Sequence, residues 1–203
     1  MSLVQTPVLE IEVEQDGPHD GRPLLLLHGW PDAPREWRPV AERLHERGWR
    51  TIVPTLRGSG VTRFRSADAP RDGRGVALAA DAIDLLDALG LDRVPIAGHD
   101  WGARAAYTIA AVAPERPLRL SRWHFRINRA APCRSARRPC RAFWYQWLLY
   151  LDAAARAVAA DPIVFARLQW DTWSPPGWFD DDDFEVTARS FTNPDWVAIT
   201  LNA

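Results

Sequence analysis

The sequence contains little cysteine, with only Cys133 and Cys140 among 203 residues. Two cysteines supply neither a disulfide framework nor a metal cluster, so we expect no bound metal and no other cofactor. No stretch approaches the run of about eighteen apolar residues that spans a membrane, and the N-terminus lacks a basic-then-apolar targeting signal. The net charge of -1 gives no reason to expect nucleic acid. These absences favour a soluble cytoplasmic protein without membrane or nucleic-acid partners.

The residues that are present have the composition of a globular domain. Hydrophobic residues make up 47% of the chain and charged residues 25%, which is enough for one domain with a substantial core. Tryptophan is abundant, with 11 residues. Such side chains either line a pocket or pack helices together, and the sequence leaves both roles open. Six of them follow residue 140, namely Trp144, Trp147, Trp170, Trp173, Trp178 and Trp196.

A short apolar run over residues 94–98 continues through His99-Asp100-Trp101-Gly102 into an alanine-rich helical pattern. This order predicts a strand, a sharp turn and a helix. The pattern Gly-x-Asp-x-Gly places the Asp100 carboxylate where the nucleophile-elbow motif Gly-x-Ser-x-Gly places its serine. The N-terminus of the following helix would favour the ionised carboxylate. Asp100 is therefore our candidate nucleophile, and the alternative is that it only caps the helix.

A second turn, His28-Gly29-Trp30-Pro31, ends a predicted buried strand over residues 23–28. Alternating strands and helices predict right-handed crossovers on a parallel sheet with helices on both faces. Such sheets bind ligands beyond the carboxyl ends of their strands. Because this turn and Asp100 both follow strands, we expect them to meet at one site.

Other segments complete this arrangement. Apolar and acidic residues alternate over residues 8–14 and predict a strand at a sheet edge. Helical spacing predicts helices over residues 36–47 and 75–89, and an apolar run predicts a third strand over 50–56. Residues 61–73 are predicted to form a polar loop.

Two sets of polar residues in this region are not expected to do chemistry. Ser59 lies between glycines in a loop that no helix follows directly, so we do not propose it as a nucleophile. Asp81, Asp84 and Asp87 line one flank of the predicted helix over residues 75–89. Because no histidine joins these aspartates, we predict a solvated edge and not a metal site.

Together, His28-Gly29-Trp30-Pro31 and Gly98-His99-Asp100-Trp101-Gly102 resemble the α/β-hydrolase superfamily. The resemblance is to the branch of epoxide hydrolases and haloalkane dehalogenases, which use aspartate in place of serine. The turn Arg57-Gly58-Ser59-Gly60 is similar to the Arg-Gly-x-Gly turn of the same family. The match covers roughly residues 8–115 and resumes at about residue 140. It implies an α/β fold with a mostly parallel sheet, flanking helices and a helical cap.

The resemblance also implies roles for particular residues. The backbone N–H groups of Trp30 and Trp101 would form an oxyanion hole, and His28, Trp101 and Gln146 would contact the substrate. Tyr145 is similar to the cap tyrosine whose hydroxyl an epoxide hydrolase presents to the substrate. A tyrosine that only packs between helices is the alternative.

These roles predict a small apolar organic substrate, either an epoxide or a haloalkane. Asp100 would form an alkyl ester with the substrate, and a histidine-activated water would hydrolyse it. The pair Tyr145-Gln146 favours the epoxide, whereas a haloalkane dehalogenase could use the Trp101 indole to bind the halide. A non-catalytic fragment or pseudoenzyme is a third hypothesis.

Residues 116–141 interrupt the pattern, because they contain nine arginines, both cysteines and no aspartate or glutamate. Residues 118–123 offer no apolar run of four residues, so the next buried strand of the fold is not predicted there. The segment could be a basic loop for an anionic partner, a solvated insertion, or a stretch from a shifted reading frame over about residues 117–140. We favour the shifted frame, because family-like sequence resumes on the far side.

We divide the chain into a hydrolase core over residues 1–116, the Arg-rich segment over 117–141 and a partial helical cap over 142–203. Within the cap, the acidic residues 180–183 predict the start of a helix, and another helix is predicted to begin at Pro194. The resemblance implies a further acid and a histidine after the cap, so we expect the C-terminal core strands and part of the catalytic machinery to be missing. His124 is the only histidine after Asp100 and is not favoured as the base.

Overall fold

A computed structural model describes residues 1–123 and 144–203 of the chain. The strands of its central sheet are β1 (Ser2–Gln5), β2 (Leu9–Asp16), β3 (Arg22–Leu27), β4 (Trp49–Pro54), β5 (Arg63–Phe64), β6 (Val94–His99) and β7 (Pro117–Trp123). Their order across the sheet is β1, β2, β4, β3, β6, β7, and β5 pairs with β2.

The middle of the sheet is parallel. Strand β3 pairs in parallel with β4 and β6, so that Leu25 lies opposite Ile52 on one side and Ile96 on the other. Strand β6 pairs in parallel with β7, whereas β1, β2 and β5 form antiparallel pairs. The predicted parallel arrangement of the central strands is confirmed, and an antiparallel region is added at the N-terminal side.

Among residues 1–123, three helices cover the two faces of the sheet. Helix α1 (Arg38–His45) follows a 3-10 turn at Pro34–Trp37, and helices α2 (Gly75–Ala88) and α3 (Trp101–Val112) follow later strands. Residues of α1 belong to one hydrophobic cluster and residues of α2 and α3 to another. The helices predicted over residues 36–47 and 75–89 are confirmed, the first of them beginning as a 3-10 turn.

Strand β3 shows why the sheet has two apolar faces. Leu24 and Leu26 pack in a small cluster with Trp37, whereas Leu25 and Leu27 belong to the larger core beneath α2 and α3. Successive side chains of a strand point to opposite faces, so a continuous leucine run buries both. The run thereby fixes β3 at the centre of the sheet, where its carboxyl end opens onto the site.

The second layer consists of helices after residue 143. They are α4 (Trp144–Leu149), α5 (Asp152–Ala160), α6 (Pro162–Trp173), α7 (Asp181–Ala188) and α8 (Trp196–Leu201), with a 3-10 turn at Arg189–Thr192. The Asp180 side chain accepts the backbone N–H of Asp183 at 2.8 Å and caps α7, which confirms the predicted helix start. In the described parts of the chain, every helix is too short or too polar to cross a membrane.

The helical layer contacts the sheet domain through polar groups as well as apolar ones. The indole Nε1 of Trp170 donates to the carbonyl of Pro31 at 2.8 Å. The Asn193 amide donates to the carbonyls of Ser59 and Thr62 at 3.1 and 2.8 Å. These bonds hold the cap helices against the loops that leave β3 and β4.

Several predictions about individual segments were wrong. Strand β2 is not at a sheet edge, because β1 pairs with it on one side and β4 on the other. The polar loop over residues 61–73 contains the short strand β5. Asp81 is not solvated: it is 6% exposed and forms an ion pair with Arg57. Its two companions, Asp84 and Asp87, lie on the more exposed side of α2.

The sequence predicted no strand directly after α3, and this prediction was wrong, because Pro117–Trp123 forms β7. Leu120 lies opposite Ile96 in the parallel pairing with β6. The pairing uses backbone groups, so it does not require a continuous apolar run. The rest of the Arg-rich segment, including His124, Cys133 and Cys140, lies outside the described residues, and its origin stays a hypothesis.

Candidate active site

The turn between β6 and α3 holds Asp100 in an unusual backbone conformation, with φ 46° and ψ -108°. A positive φ is uncommon for any residue other than glycine, and such strain concentrates at functional sites. The turn also demands a small residue at Gly102, because a Cβ atom there would lie 2.1 Å from the carbonyl oxygen of Leu27. The strand, turn and helix predicted around Asp100 are therefore confirmed as a sharp elbow.

The elbow meets the loop that follows β3. The backbone N–H of Trp30 donates to Oδ1 of Asp100 at 3.2 Å, and the N–H of Gly102 donates to the carbonyl of His28 at 3.0 Å. Trp101 is the first residue of α3. Its backbone N–H therefore has no acceptor within the helix. The two sequence motifs thus converge at the carboxyl ends of neighbouring parallel strands, as predicted.

The Trp30 side chain lies at the centre of an aromatic cluster. Its ring stacks on those of Trp101 and Tyr145, with centroids 5.7 and 5.3 Å away, and on that of Trp196 at 5.9 Å. Its Nε1 donates to Oγ1 of Thr200 at 2.9 Å. This cluster joins the β3 loop, the elbow helix and the cap.

A cavity of about 630 Å³ opens beside this cluster. Trp30, Trp101, Tyr145 and Gln146, four of the residues predicted to form the site, contribute to its wall. The tryptophans of the cap divide between the two roles considered for them: Trp196 is buried in the core, whereas Trp170 and Trp178 line a second cavity of about 700 Å³.

Tyr145 is buried in the wall of the first cavity, with 4% of its surface exposed. Burial raises the pKa of its hydroxyl, and the negative charge of Asp100 raises the pKa further. The Gln146 amide donates to the hydroxyl oxygen at 3.4 Å, and hydrogen bonds from Gln146 and Arg104 oppose the rise in pKa. The raised pKa keeps the phenol in its protonated form, close enough to Asp100 to respond to its charge.

Arg104 was not singled out from the sequence, although it also lines the cavity. It lies one helical turn after Asp100, and its backbone N–H donates to the Asp100 carbonyl at 3.0 Å. That i+4 spacing on the elbow helix is the signal that could have identified it.

Backbone groups surround the ring of His28. Its ring is 1% exposed, with Nδ1 2.8 Å from the Gly29 carbonyl and Nε2 accepting the Leu56 N–H at 3.0 Å. Both ring nitrogens are therefore occupied by backbone groups, and the side chain is absent from the wall of the 630 Å³ cavity. The ring thus joins the ends of β3 and β4, and substrate contact by His28 stays a prediction.

A group of titratable residues behind the elbow was also missed. Oε1 of Glu36 accepts the Gly29 N–H at 3.1 Å, and Oε2 lies 3.1 Å from Nδ1 of His99. The hydrogen bond to Glu36 raises the pKa of His99. Burial raises the pKa of Asp32 well above its ordinary value, and the charge of Glu36 adds to the rise.

Comparison with known proteins gives a consistent result for the first half of the chain. Residues 22–120 match the family model described as alpha/beta hydrolase fold. Epoxide hydrolase 2 of Siraitia grosvenorii is 38% identical over 96 residues, which are 47% of this chain and 30% of that protein. Soluble epoxide hydrolase of Corynebacterium sp. is 41% identical over 91 residues, 44% of this chain and 30% of that protein. The match thus spans about a third of the length of these relatives.

Structural similarity extends over nearly the whole chain. A crystal structure from Klebsiella pneumoniae, described as a candidate epoxide hydrolase, has a TM-score of 0.88 and 38% sequence identity. The match covers 99% of this chain and 68% of the Klebsiella protein. The likeness therefore includes the cap helices as well as the sheet.

Proposed function

Because the chain belongs to the α/β-hydrolase fold family, in its epoxide hydrolase-like branch, we propose that Asp100 is a nucleophile that opens an epoxide. The observation that carries the proposal is the strained turn at Asp100, whose Oδ1 accepts the Trp30 N–H at 3.2 Å. A helix cap would not need that strained backbone or a donor from a second loop. Trp30, which donates to the carboxylate, and Trp101, which follows Asp100 in the chain, line a cavity whose wall includes the buried Tyr145.

In the proposed first step, the Asp100 carboxylate attacks one carbon of the epoxide ring. A new C–O ester bond forms while the ring C–O bond breaks, and the electron pair stays on the ring oxygen. That oxygen takes the proton of the Tyr145 hydroxyl, which leaves a phenolate and an alkyl ester that carries a hydroxyl group. Tyr145 suits this role because burial raises its pKa and keeps the proton on the phenol until the ring opens.

In the second step, water attacks the carbonyl carbon of the ester, releases a diol and returns a proton to Tyr145. The negative charge that develops on the Asp100 oxygen would be stabilised by the backbone N–H groups of Trp30 and Trp101. The Trp30 N–H already donates to that carboxylate. The first step needs only groups that the described residues supply, so it is the step to test first.

A haloalkane would be attacked by the same carboxylate, and its halide ion would need donors in the cavity. Trp101 lines that cavity, but the indole N–H of Trp30 is already bonded to Thr200. Tyr145, in contrast, offers a protonated hydroxyl that matches an epoxide oxygen. These contacts favour the epoxide over the haloalkane.

The proposal is tested by incubating the purified chain with styrene oxide and measuring its intact mass over time. We expect a gain of one epoxide per chain, located at Asp100 by peptide mapping. Asp100→Asn should abolish the adduct, and Tyr145→Phe should slow it by about 100-fold or more. Mapping also separates an ester at Asp100 from alkylation of Cys133 or Cys140.

The comparison reaction uses 1-bromobutane under the same conditions. Bromide release that depends on Asp100, without reaction of styrene oxide, would support the haloalkane alternative. An Asp100 that stays unmodified by both reagents would contradict the proposed nucleophile.

A further inference from the structure

Glu36 makes two contacts at the back of the elbow. It lies in the 3-10 turn Pro34–Trp37, where its Oε1 accepts the Gly29 N–H at 3.1 Å. Its Oε2 lies 3.1 Å from Nδ1 of His99. The carboxylate is well shielded from solvent, with 14% of its side chain exposed, whereas the His99 side chain is 52% exposed.

The two residues that Glu36 binds are the immediate neighbours of Trp30 and Asp100 in the sequence. Gly29 precedes Trp30, whose N–H donates to Asp100, and His99 precedes Asp100 itself. One carboxylate therefore joins the β3 loop to the elbow directly behind the 3.2 Å contact between Trp30 and Asp100.

The two turns are closely packed at this point. A Cβ atom on Gly29 would lie 2.9 Å from Nδ1 of His99 and 3.1 Å from Cβ of Asp100. With so little space between them, a small separation of the turns would lengthen the Trp30 to Asp100 hydrogen bond. At 3.2 Å this bond already lies at the long end of the usual range for N–H to oxygen hydrogen bonds.

The charges around His99 support the bridge. The groups that act on its ring are Glu36, Asp100 and Asp32, together with His28, which lies close enough to interact with it. The hydrogen bond to Glu36 makes the largest contribution to the raised pKa of His99. Burial raises the pKa of Asp32, and the neighbouring Glu36 charge raises it further.

We propose that Glu36 is a positioning residue, which fixes the Trp30 donor against Asp100 by holding Gly29 and His99 at once. This inference rests on the proposed nucleophilic role of Asp100. Glu36 does not line the 630 Å³ cavity, so its loss should reduce the maximal rate of ester formation and leave the half-saturating substrate concentration unchanged.

The test compares Glu36→Gln, Glu36→Leu and the control Glu42→Gln in the styrene oxide reaction. The Gln variant keeps an acceptor for the Gly29 N–H but loses the charge that holds His99, and the Leu variant loses both. We expect the maximal rate of ester formation to fall by about 10-fold in the first and about 100-fold in the second, because small misplacements of reacting groups have effects of this size. Glu42 is exposed on α1, and its variant should react at the wild-type rate.

The pH profile separates positioning from a general loss of stability. In the wild type, the rate should fall as the pH rises through the pKa of His99, because the neutral ring loses its charge attraction to Glu36. The Gln variant should lack that decline. Equal rates and equal profiles in the wild type and the Gln variant would overturn the proposal.

A readout that does not require turnover distinguishes this proposal from failure of the proposed function. If the wild-type chain forms no ester, the Trp30 amide is monitored by NMR in the wild type and in Glu36→Gln. A changed amide shift, with folding retained, would support the bridge even without chemistry. An amide shift that is the same in both would overturn it.

Discussion

The Arg57 guanidinium holds both carboxylate oxygens of Asp81, with its Nε and Nη2 each 2.5 Å from one oxygen. Both side chains are less than 10% exposed. Nη1 of Arg57 also donates to the carbonyl of Asp72 at 2.9 Å. The pair joins the turn after β4 to helix α2, close to the loops that carry the site.

Replacing Asp81 by asparagine should destabilise the fold strongly. The change leaves the Arg57 charge buried without its partner, which typically lowers the free energy of unfolding by about 3–5 kcal/mol. Urea denaturation at pH 7 measures the difference. Asp84→Asn is the matched control on the same helix, because Asp84 makes no ion pair among the described residues, and its effect should stay within about 0.5 kcal/mol. A similar decrease in the free energy of unfolding in both variants would show that the ion pair with Arg57 does not contribute more to stability than Asp84 does.

Gly102, the glycine of the elbow helix α3, should tolerate substitution poorly. An alanine Cβ there would lie 2.1 Å from the Leu27 carbonyl oxygen, so α3 would have to move away from β3. Gly102→Ala should lower the free energy of unfolding by about 3 kcal/mol and, by displacing the elbow, slow modification of Asp100.

Gly75→Ala is the matched control for this substitution. Its Cβ would meet Arg104 at 3.4 Å, an ordinary contact, so the effect should be within about 1 kcal/mol and could be stabilising. Thermal unfolding of the two variants side by side tests the difference. A Gly102→Ala protein as stable and as reactive as Gly75→Ala would contradict the close approach of α3 to β3.

The meeting of the two motifs could be predicted from the sequence because it follows from local signals. The leucine run before His28 and the glycine-flanked Asp100 each mark the carboxyl end of a strand, and parallel topology brings such ends together. Tyr145 could be placed by resemblance, and the structure puts it in the same cavity wall as Trp30.

The contacts that were missed join residues far apart in the chain. Asp81 has the helical spacing of a solvent-facing residue, and only the fold brings Arg57, 24 positions earlier, against it. Glu36 and His99 are 63 positions apart and belong to elements of different type, so no periodicity links them. His28 was assigned to the substrate from its place in a motif, whereas its ring orientation depends on the backbone of Leu56.

The buried ring of His28 should make the protein less stable in acid. With Nε2 accepting the Leu56 N–H, the ring carries its proton on Nδ1, which donates to the Gly29 carbonyl. A second proton would have to sit on Nε2, where it would point at the Leu56 N–H, which is itself a donor. Burial accordingly lowers the pKa of His28 below 6.5. As the pH falls through about 6.5, the unfolded chain binds a proton that the folded chain does not, so the free energy of unfolding should decrease.

His99 acts in the opposite sense, because its pKa is raised in the folded protein. Its contribution to the free energy of unfolding is complete below the pKa of the unfolded state. The contribution is lost as the pH rises through the higher pKa of the folded state. Below about pH 6.5, the loss of stability in acid therefore reports on His28 and not on His99. The slope attributable to His28 can reach about 1.4 kcal/mol per pH unit between its unfolded and folded pKa values.

The measurement is urea unfolding at a series of pH values from 7.5 to 5 for the wild type, His28→Gln and His19→Gln. The His28 variant keeps a side-chain acceptor for the Leu56 N–H but cannot titrate, so its stability should fall less steeply with acid. His19 is exposed, and its variant should follow the wild type. If His28→Gln and the wild type lost stability in parallel across this range, the acid sensitivity would have to arise from other groups, and the ring of His28 would not be held neutral by its backbone contacts.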